Sequence, residues 1–89
     1  MEVKITKETN NELEFEVISE KTILNPLKQK LLEYKEVTYA EWRIEHPLTS
    51  NPTFHVKVKK GNTKKIVLKA VNEIRQEIDS LLQQLEEST

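Results

Sequence analysis

The chain has 89 residues, enough for one hydrophobic core, and we expect a single domain over residues 1–89. Its 36% hydrophobic and 33% charged residues, with a single glycine, exclude a disordered or low-complexity chain. The net charge of -1, from 14 basic and 15 acidic residues, excludes a global electrostatic attraction to nucleic acid or to anionic membranes.

The cellular location is indicated by what the sequence lacks. Cysteine is absent, whereas small secreted domains usually depend on disulfides, so an intracellular protein is favoured. Residues 1–7 lack the apolar segment of a signal peptide, and no apolar run reaches the length of a transmembrane helix. We therefore expect a cytosolic or nuclear protein, and we predict the cytoplasm, with no membrane partner.

Near the amino terminus, apolar and polar residues alternate in two short stretches, which is the pattern of β-strands. The alternating apolar residues are Val3 and Ile5 before a turn signal at residues 9–11, and Leu13, Phe15 and Val17 after it. We predict a β-hairpin. Its acidic residues, Glu12, Glu14 and Glu16, occupy the positions between the apolar ones, so we interpret them as a solvated surface rather than a metal site.

The apolar spacing becomes helical between Thr22 and Tyr34. The apolar stripe of this first helix consists of Leu24, Leu27 and Leu31. Pro26 must lie in the first turn, because proline lacks the N–H group that the helix interior needs. Two starting points stay open: either Asn25 caps the helix and Pro26 follows it, or the helix begins one turn earlier at Thr22.

Two more strands follow the first helix. Their apolar residues are Val37, Tyr39, Trp42 and Ile44 in the third strand, and Phe54, Val56 and Val58 in the fourth. The two halves of the third strand are out of phase, which predicts a β-bulge near Ala40–Glu41. A loop over residues 46–52 separates the two strands, and Lys60-Gly61-Asn62 predicts a turn after the fourth.

The last predicted element is a long helix with an apolar seam. The seam steps by four and three residues along Val67, Val71, Ile74, Ile78, Leu81 and Leu85. With Thr63 as its amino-terminal cap, the helix has about 22 to 24 residues and a length of roughly 35 Å. Four strands span only about 20 Å across a sheet, so part of this helix must extend beyond its own sheet.

This overhang predicts a protein interface, since exposed apolar patches usually mark contact sites. Leu68, Ala70 and Leu82 broaden the seam. Together with the stripe of the first helix, the predicted partner interface comprises Leu24, Leu27, Leu31, Val67, Val71, Ile74, Ile78, Leu81, Leu82 and Leu85. The alternative is that the end of the helix frays or bends back over its own sheet.

No pattern in the sequence is typical of a catalytic, cofactor or metal site. His46 and His55 flank one loop, but a zinc site would need further ligands that the sequence does not supply at a suitable spacing. Gly61 is the single glycine, which excludes a glycine-rich phosphate loop, and no activated nucleophile is recognisable. A small dehydratase would need both histidines and Trp42 to meet in one pocket. We predict no catalytic residue, no cofactor and no metal.

One basic stretch supports an alternative function, a small nucleic-acid-binding module. The stretch contains Lys57, Lys59, Lys60, Lys64, Lys65 and Lys69. Lysines arranged in this way can contact phosphates, but the run is interrupted and has no aromatic stacking partners. We therefore favour a solvated face.

The order of elements and two short motifs resemble the family of archaeal RNA polymerase subunit L, over essentially the whole chain. The matching residues are Thr22 and Asn25 at the first helix, and His46, Pro47 and Leu48 after the third strand. Lys21 and Leu24 stand where the family usually has histidine and glycine, and Pro26 is unexpected inside the first helix. These departures concern the local geometry of that helix.

The resemblance implies an α+β fold, a two-layer ββαββα domain whose four-stranded sheet carries both helices on one face. It also implies a non-catalytic subunit of DNA-directed RNA polymerase that forms a heterodimer with the polymerase's D subunit. This heterodimer would be the platform on which the large catalytic subunits assemble. No direct sequence-specific contact with DNA is expected of such a subunit.

Overall fold

The computed structural model describes residues 3–18, 21–44 and 51–88. In it the chain forms one antiparallel sheet with two helices. The elements are β1 (Val3–Glu8), β2 (Glu12–Val17), α1 (Leu24–Leu32), β3 (Val37–Arg43), β4 (Thr53–Val58) and α2 (Thr63–Glu87), with a 3-10 turn at Lys21–Ile23 before α1. The strand order is β1-β2-β4-β3. The predicted α+β class, the order of elements and the long last helix are confirmed.

The core lies between the two central strands, β2 and β4, and the helices. Phe15 pairs with Phe54 across these strands, and their rings stack with centroids 5.5 Å apart. The buried apolar residues of the core cluster are Leu13, Phe15, Val17, Leu24, Leu27, Leu31, Ala40, Phe54, Val56, Val67, Ala70 and Ile74. One core cluster therefore joins all elements except β1, and the single domain over residues 1–89 stays a prediction.

The edge strand β1 contributes little to this core. It pairs with β2 as predicted, but Val3 and Ile5 keep 48% and 44% of their surface exposed. The helices explain this, because α1 lies against β3 whereas α2 lies against β2 and β4. With the helices placed in this way, β1 is the strand left uncovered.

The predicted bulge in β3 is placed wrongly by two residues. The register shifts between Val37 and Tyr39, so the extra residue is Thr38 rather than Ala40 or Glu41. After this shift Ala40 is buried opposite Val56, whereas Tyr39 is exposed. The phase change in the sequence is real, but an alternation pattern cannot show at which residue it occurs.

The predicted cap of α2 is also wrong by one residue. Asn62 is the amino-terminal cap, and its side-chain oxygen accepts a hydrogen bond from the backbone N–H of Lys65 at 3.1 Å. Thr63 is fully buried, and its hydroxyl donates to the carbonyl of Asn10 at 2.7 Å. Thr63 therefore joins the start of α2 to the β1–β2 turn, while asparagine, an equally good capping residue, caps the helix.

Neither proposed start of α1 is found. The helix begins at Leu24, directly after the 3-10 turn, and Ile23 occupies the cap position without a side-chain hydrogen bond. Pro26 is the third residue of α1 and so lies in the first turn, as predicted, where its missing N–H has no intrahelical partner to lose. Asn25 is inside the helix, and its side chain accepts a hydrogen bond from the indole of Trp42 at 3.1 Å.

The turn between β4 and α2 depends on Gly61, which has a φ of +88°. A Cβ atom there would meet only Cδ1 of Ile66 at 3.6 Å, so a larger residue is opposed by the backbone conformation and not by a clash. We expect Gly61→Ala to lower the free energy of unfolding by about 1 to 2 kcal/mol. Gly61→Asn should cost less, because asparagine adopts positive φ more readily. Urea denaturation of the three proteins measures this, and equal stability of the alanine and wild-type chains would contradict it.

Candidate protein interface

The carboxy-terminal part of α2 extends beyond the core. Ile74 is the last buried residue of the helix, and every described residue from Arg75 onwards is exposed. The apolar side chains there are Ile78, Leu81, Leu82 and Leu85, which are 53%, 56%, 52% and 56% exposed. The helix continues to Glu87 and does not bend back over the sheet. The predicted overhang is confirmed. It consists of α2 from Arg75 to Glu87, and its apolar side chains are uncovered.

The point where α2 leaves the core is held by Lys30 of α1. Its Nζ atom donates to Oε1 of Glu77 at 2.5 Å and lies 3.9 Å from Oε2 of Glu73. The hydrogen bond with Glu77 raises the pKa of Lys30, although partial burial opposes the shift. Above this junction, Lys69 places its ammonium group 5.3 Å from the ring centroid of Tyr34. The helices therefore stay in contact as far as Glu77, and the overhang follows.

The structure divides the predicted interface residues into two groups. Leu24, Leu27, Leu31, Val67 and Ile74 are buried in this chain's own core. Val71 is partly buried against the core and lies between the two groups. The second group, Ile78, Leu81, Leu82 and Leu85, is exposed, and only this group offers free surface to a partner in this structure. The interface as a whole stays a prediction.

Next to the first half of α2 lies an apolar groove that the sequence did not predict. One wall is formed by the uncovered residues Val3 and Ile5 of β1, and the other by Leu68 and Val71 of α2. The remaining lining residues are Leu13, Phe15, Val17, Ile23, Leu27, Lys64 and Val67. Val3 and Ile5 fit a core-facing pattern, and alternation alone does not show which strand the helices leave uncovered.

The motif residues are only partly described. Thr22 and Pro26 border the cleft between α1 and the overhang, together with Ile78. Asn25 is bound to Trp42 and so connects α1 with β3. His46, Pro47 and Leu48 lie outside the described residues.

The outer face of the sheet carries the acidic residues of β2, each with a polar partner. Glu12 lies 2.9 Å from Lys7 Nζ and 2.9 Å from His55 Nε2. Glu14 accepts a hydrogen bond from the hydroxyl of Thr6 at 3.0 Å, and Glu16 from the side-chain amide of Asn51 at 3.0 Å. Among residues 3–18, 21–44 and 51–88, no group of three or more histidine, cysteine or acidic side chains could hold a metal ion. This face is a set of surface ion pairs and hydrogen bonds.

The lysine-rich stretch does not form one continuous surface. Lys57 is on β4 and stands 5.7 Å from the ring centroid of Tyr39. Lys69 is on α2 over the ring of Tyr34, and with Lys60 and Lys65 it borders a hollow near the turn before α2. The lysines are thus split between different elements and different aromatic neighbours, and a nucleic-acid-binding function is not favoured.

Among the helices that the structure describes, none has the length and apolar character to cross a bilayer.

Comparison with known proteins identifies the family to which this fold belongs. The sequence model of the RNA polymerase Rpb3/Rpb11 dimerisation domain matches residues 12–84. The chain belongs to this family. The match includes the whole of α1 and most of α2, and with it Ile78, Leu81 and Leu82 of the overhang.

Individual relatives agree with this assignment. DNA-directed RNA polymerase subunit Rpo11 of Methanocella arvoryzae is 36% identical over 84 residues, which are 92% of this chain and 90% of the relative. Rpo11 of Pyrobaculum aerophilum is 35% identical over 60 residues, 67% of this chain and 65% of the relative, just under two thirds of its length. The crystal structure of RNA polymerase subunit L from Thermoplasma acidophilum superposes with a TM-score of 0.85 at 24% identity, over 98% of this chain and 87% of that one, and shows the same fold.

These matches confirm the predicted resemblance to archaeal RNA polymerase subunit L. They also confirm the predicted class of function, an assembly subunit of the dimerisation type in DNA-directed RNA polymerase. The identity of its partner is not part of these matches.

The cluster around Glu12 predicts a pH dependence of stability. Hydrogen bonds from Lys7 and then from His55 hold the pKa of Glu12 below its usual 4.5. A carboxylate with a lowered pKa in the folded state stabilises the fold above its unfolded pKa, and this contribution is lost as pH falls through the folded pKa. We expect Glu12→Gln to be less stable than the wild type at pH 7 and equally stable in strong acid. Urea denaturation at several pH values measures the difference, and a constant difference across the whole acid range would contradict it.

Proposed function

We propose that this chain is the smaller member of a heterodimer within DNA-directed RNA polymerase and that its partner is the polymerase's D subunit. The observation that carries the proposal is the apolar overhang of α2, whose side chains have no cover from their own sheet. Membership in a family of dimerisation domains supports it. Covering the overhang with a second chain is the simplest way to remove this surface from water.

The overhang supplies an ordinary driving force for pairing. Full burial of a leucine or isoleucine side chain is worth roughly 1.5 to 3 kcal/mol, and these four are already about half buried. Covering the exposed halves therefore offers on the order of 3 to 6 kcal/mol before the costs of association. A stable interface buries more surface area than these four side chains offer. The groove beside β1 and the cleft beside α1 can add to the buried area.

The pair acts as an assembly platform. It holds the large subunits, which carry out nucleotidyl transfer, while this chain supplies structure and no catalytic residue, cofactor or sequence-specific DNA contact. The site of action is the cytoplasm, where such a polymerase works.

A charge on the overhang should prevent pairing. Ile78 is suitable because it is exposed, whereas an aspartate at Ile74 would be buried in the core and would test folding instead. We expect Ile78→Asp to weaken binding to the D subunit at least roughly 100-fold, since an uncompensated carboxylate would be desolvated in the interface. Co-expression with the tagged D subunit of the same organism, followed by quantitative recovery of this chain, measures the effect.

Gln76→Asp is the matched control. It adds an aspartate to the same exposed part of α2 but on the opposite side of the helix. Gln76 is two residues from Ile78, which corresponds to a rotation of about 200° around the helix axis. Its recovery with the D subunit should equal that of the wild type. If Ile78→Asp is recovered as well as Gln76→Asp, the overhang does not bind the D subunit and the proposal is wrong.

A further inference from the structure

Arg75 interrupts a second apolar stripe on α2. The stripe steps by three and four residues along Leu68, Val71, Arg75, Ile78, Leu82 and Leu85. Its residues lie between about 20° and 120° around the helix from Ile74, so the stripe is centred roughly 80° from the core-facing row. The spacing is that of a and d positions in a helix pair, so Arg75 stands where an apolar residue is expected.

In the described part of the chain, no carboxylate contacts Arg75. Within the described residues Arg75 makes no hydrogen bond or ion pair, although Asp79 is one turn away. The nearby acidic residues Glu73 and Glu77 contact Lys30 of α1 instead. The guanidinium group is therefore solvated in the isolated chain, at the middle of an otherwise apolar stripe.

We propose that Arg75 determines which partner the overhang accepts, and that the partner helix presents a carboxylate opposite it; this inference rests on the proposed function. A guanidinium stays charged at all relevant pH values and forms bidentate hydrogen bonds with a carboxylate. Covered by an apolar surface alone, it would lose its hydration without compensation. A single polar residue at such a position sets the choice of partner at some cost in stability.

A second copy of this chain is a poor partner for the same reason. An antiparallel pair of these stripes, centred between Arg75 and Ile78, matches Leu68 with Leu85 and Val71 with Leu82. It also places Arg75 opposite Ile78 and brings the two Arg75 side chains within about one turn of each other. Like charges in the middle of an apolar interface oppose this homodimer, and Arg75 thereby favours a different chain.

The test measures two affinities with full-length chains. Binding to the D subunit of the same organism is followed by titration calorimetry, and self-association by analytical ultracentrifugation. We expect Arg75→Leu to weaken binding to the D subunit at least roughly tenfold, because the carboxylate of the partner is left unpaired. The same variant should self-associate more strongly than the wild type. Gln76→Leu, which adds a leucine on another side of the helix, should change neither affinity.

A second variant separates charge from apolar surface. Arg75→Gln removes the charge without adding apolar area, so it should weaken binding to the D subunit without promoting self-association. Arg75→Glu should bind more weakly still, and lysine at one acidic position of the partner helix should restore its binding. Arg75 is exposed, and circular dichroism verifies that each variant is folded.

The outcome distinguishes this inference from the proposed function. If Arg75→Leu and Arg75→Gln bind the D subunit as tightly as the wild type, or if no lysine on the partner restores Arg75→Glu, the inference is overturned. The proposed function then still holds, provided that Ile78→Asp abolishes pairing. If Ile78→Asp has no effect either, the overhang is not the interface and both are wrong.

Discussion

The length of α2 relative to the sheet is the constraint on which the rest of the structure depends. A helix of 25 residues is about 38 Å long, whereas four strands span roughly 20 Å across the sheet. The first half of α2 packs against the sheet, with Thr63, Val67, Ala70 and Ile74 buried. The second half has no strand beneath it, and its apolar residues remain in water. No repacking within so small a sheet can cover both halves.

The first half of α2 makes the overhang a defined surface. Thr63 is tied to Asn10 in the β1–β2 turn, and Asn62 caps the helix. At the other end of the buried half, Lys30 contacts Glu73 and Glu77. Because the helix continues without a break from this anchored part, the exposed side chains have fixed spacing and direction. A partner then meets a preformed surface, which lowers the ordering cost of association.

Periodicity in the sequence was sufficient to predict the strands and helices, but not to predict which part of the structure covers each apolar side chain. Alternation in β2 and β4 and the three-four spacing in α2 reflect burial on one side, so strands and helices were predicted with their correct order. The same spacing in Leu27 and in Leu81 does not say whether a sheet or another chain covers them, and only the first of these is in the core. The position of the bulge and the choice between Asn62 and Thr63 as cap depend on hydrogen bonds with distant residues, which spacing does not contain.

The two sides of α2 therefore differ in their surroundings. The row that faces the sheet ends at Ile74 and determines whether the chain folds, because its residues contact β2, β4 and α1. The row rotated from it contains the exposed Leu68, Ile78, Leu82 and Leu85, and contributes little to the stability of the isolated chain. A charged residue is costly in the first row, but in the second it is solvated until a partner arrives, so the second row alone can carry a residue that discriminates between partners.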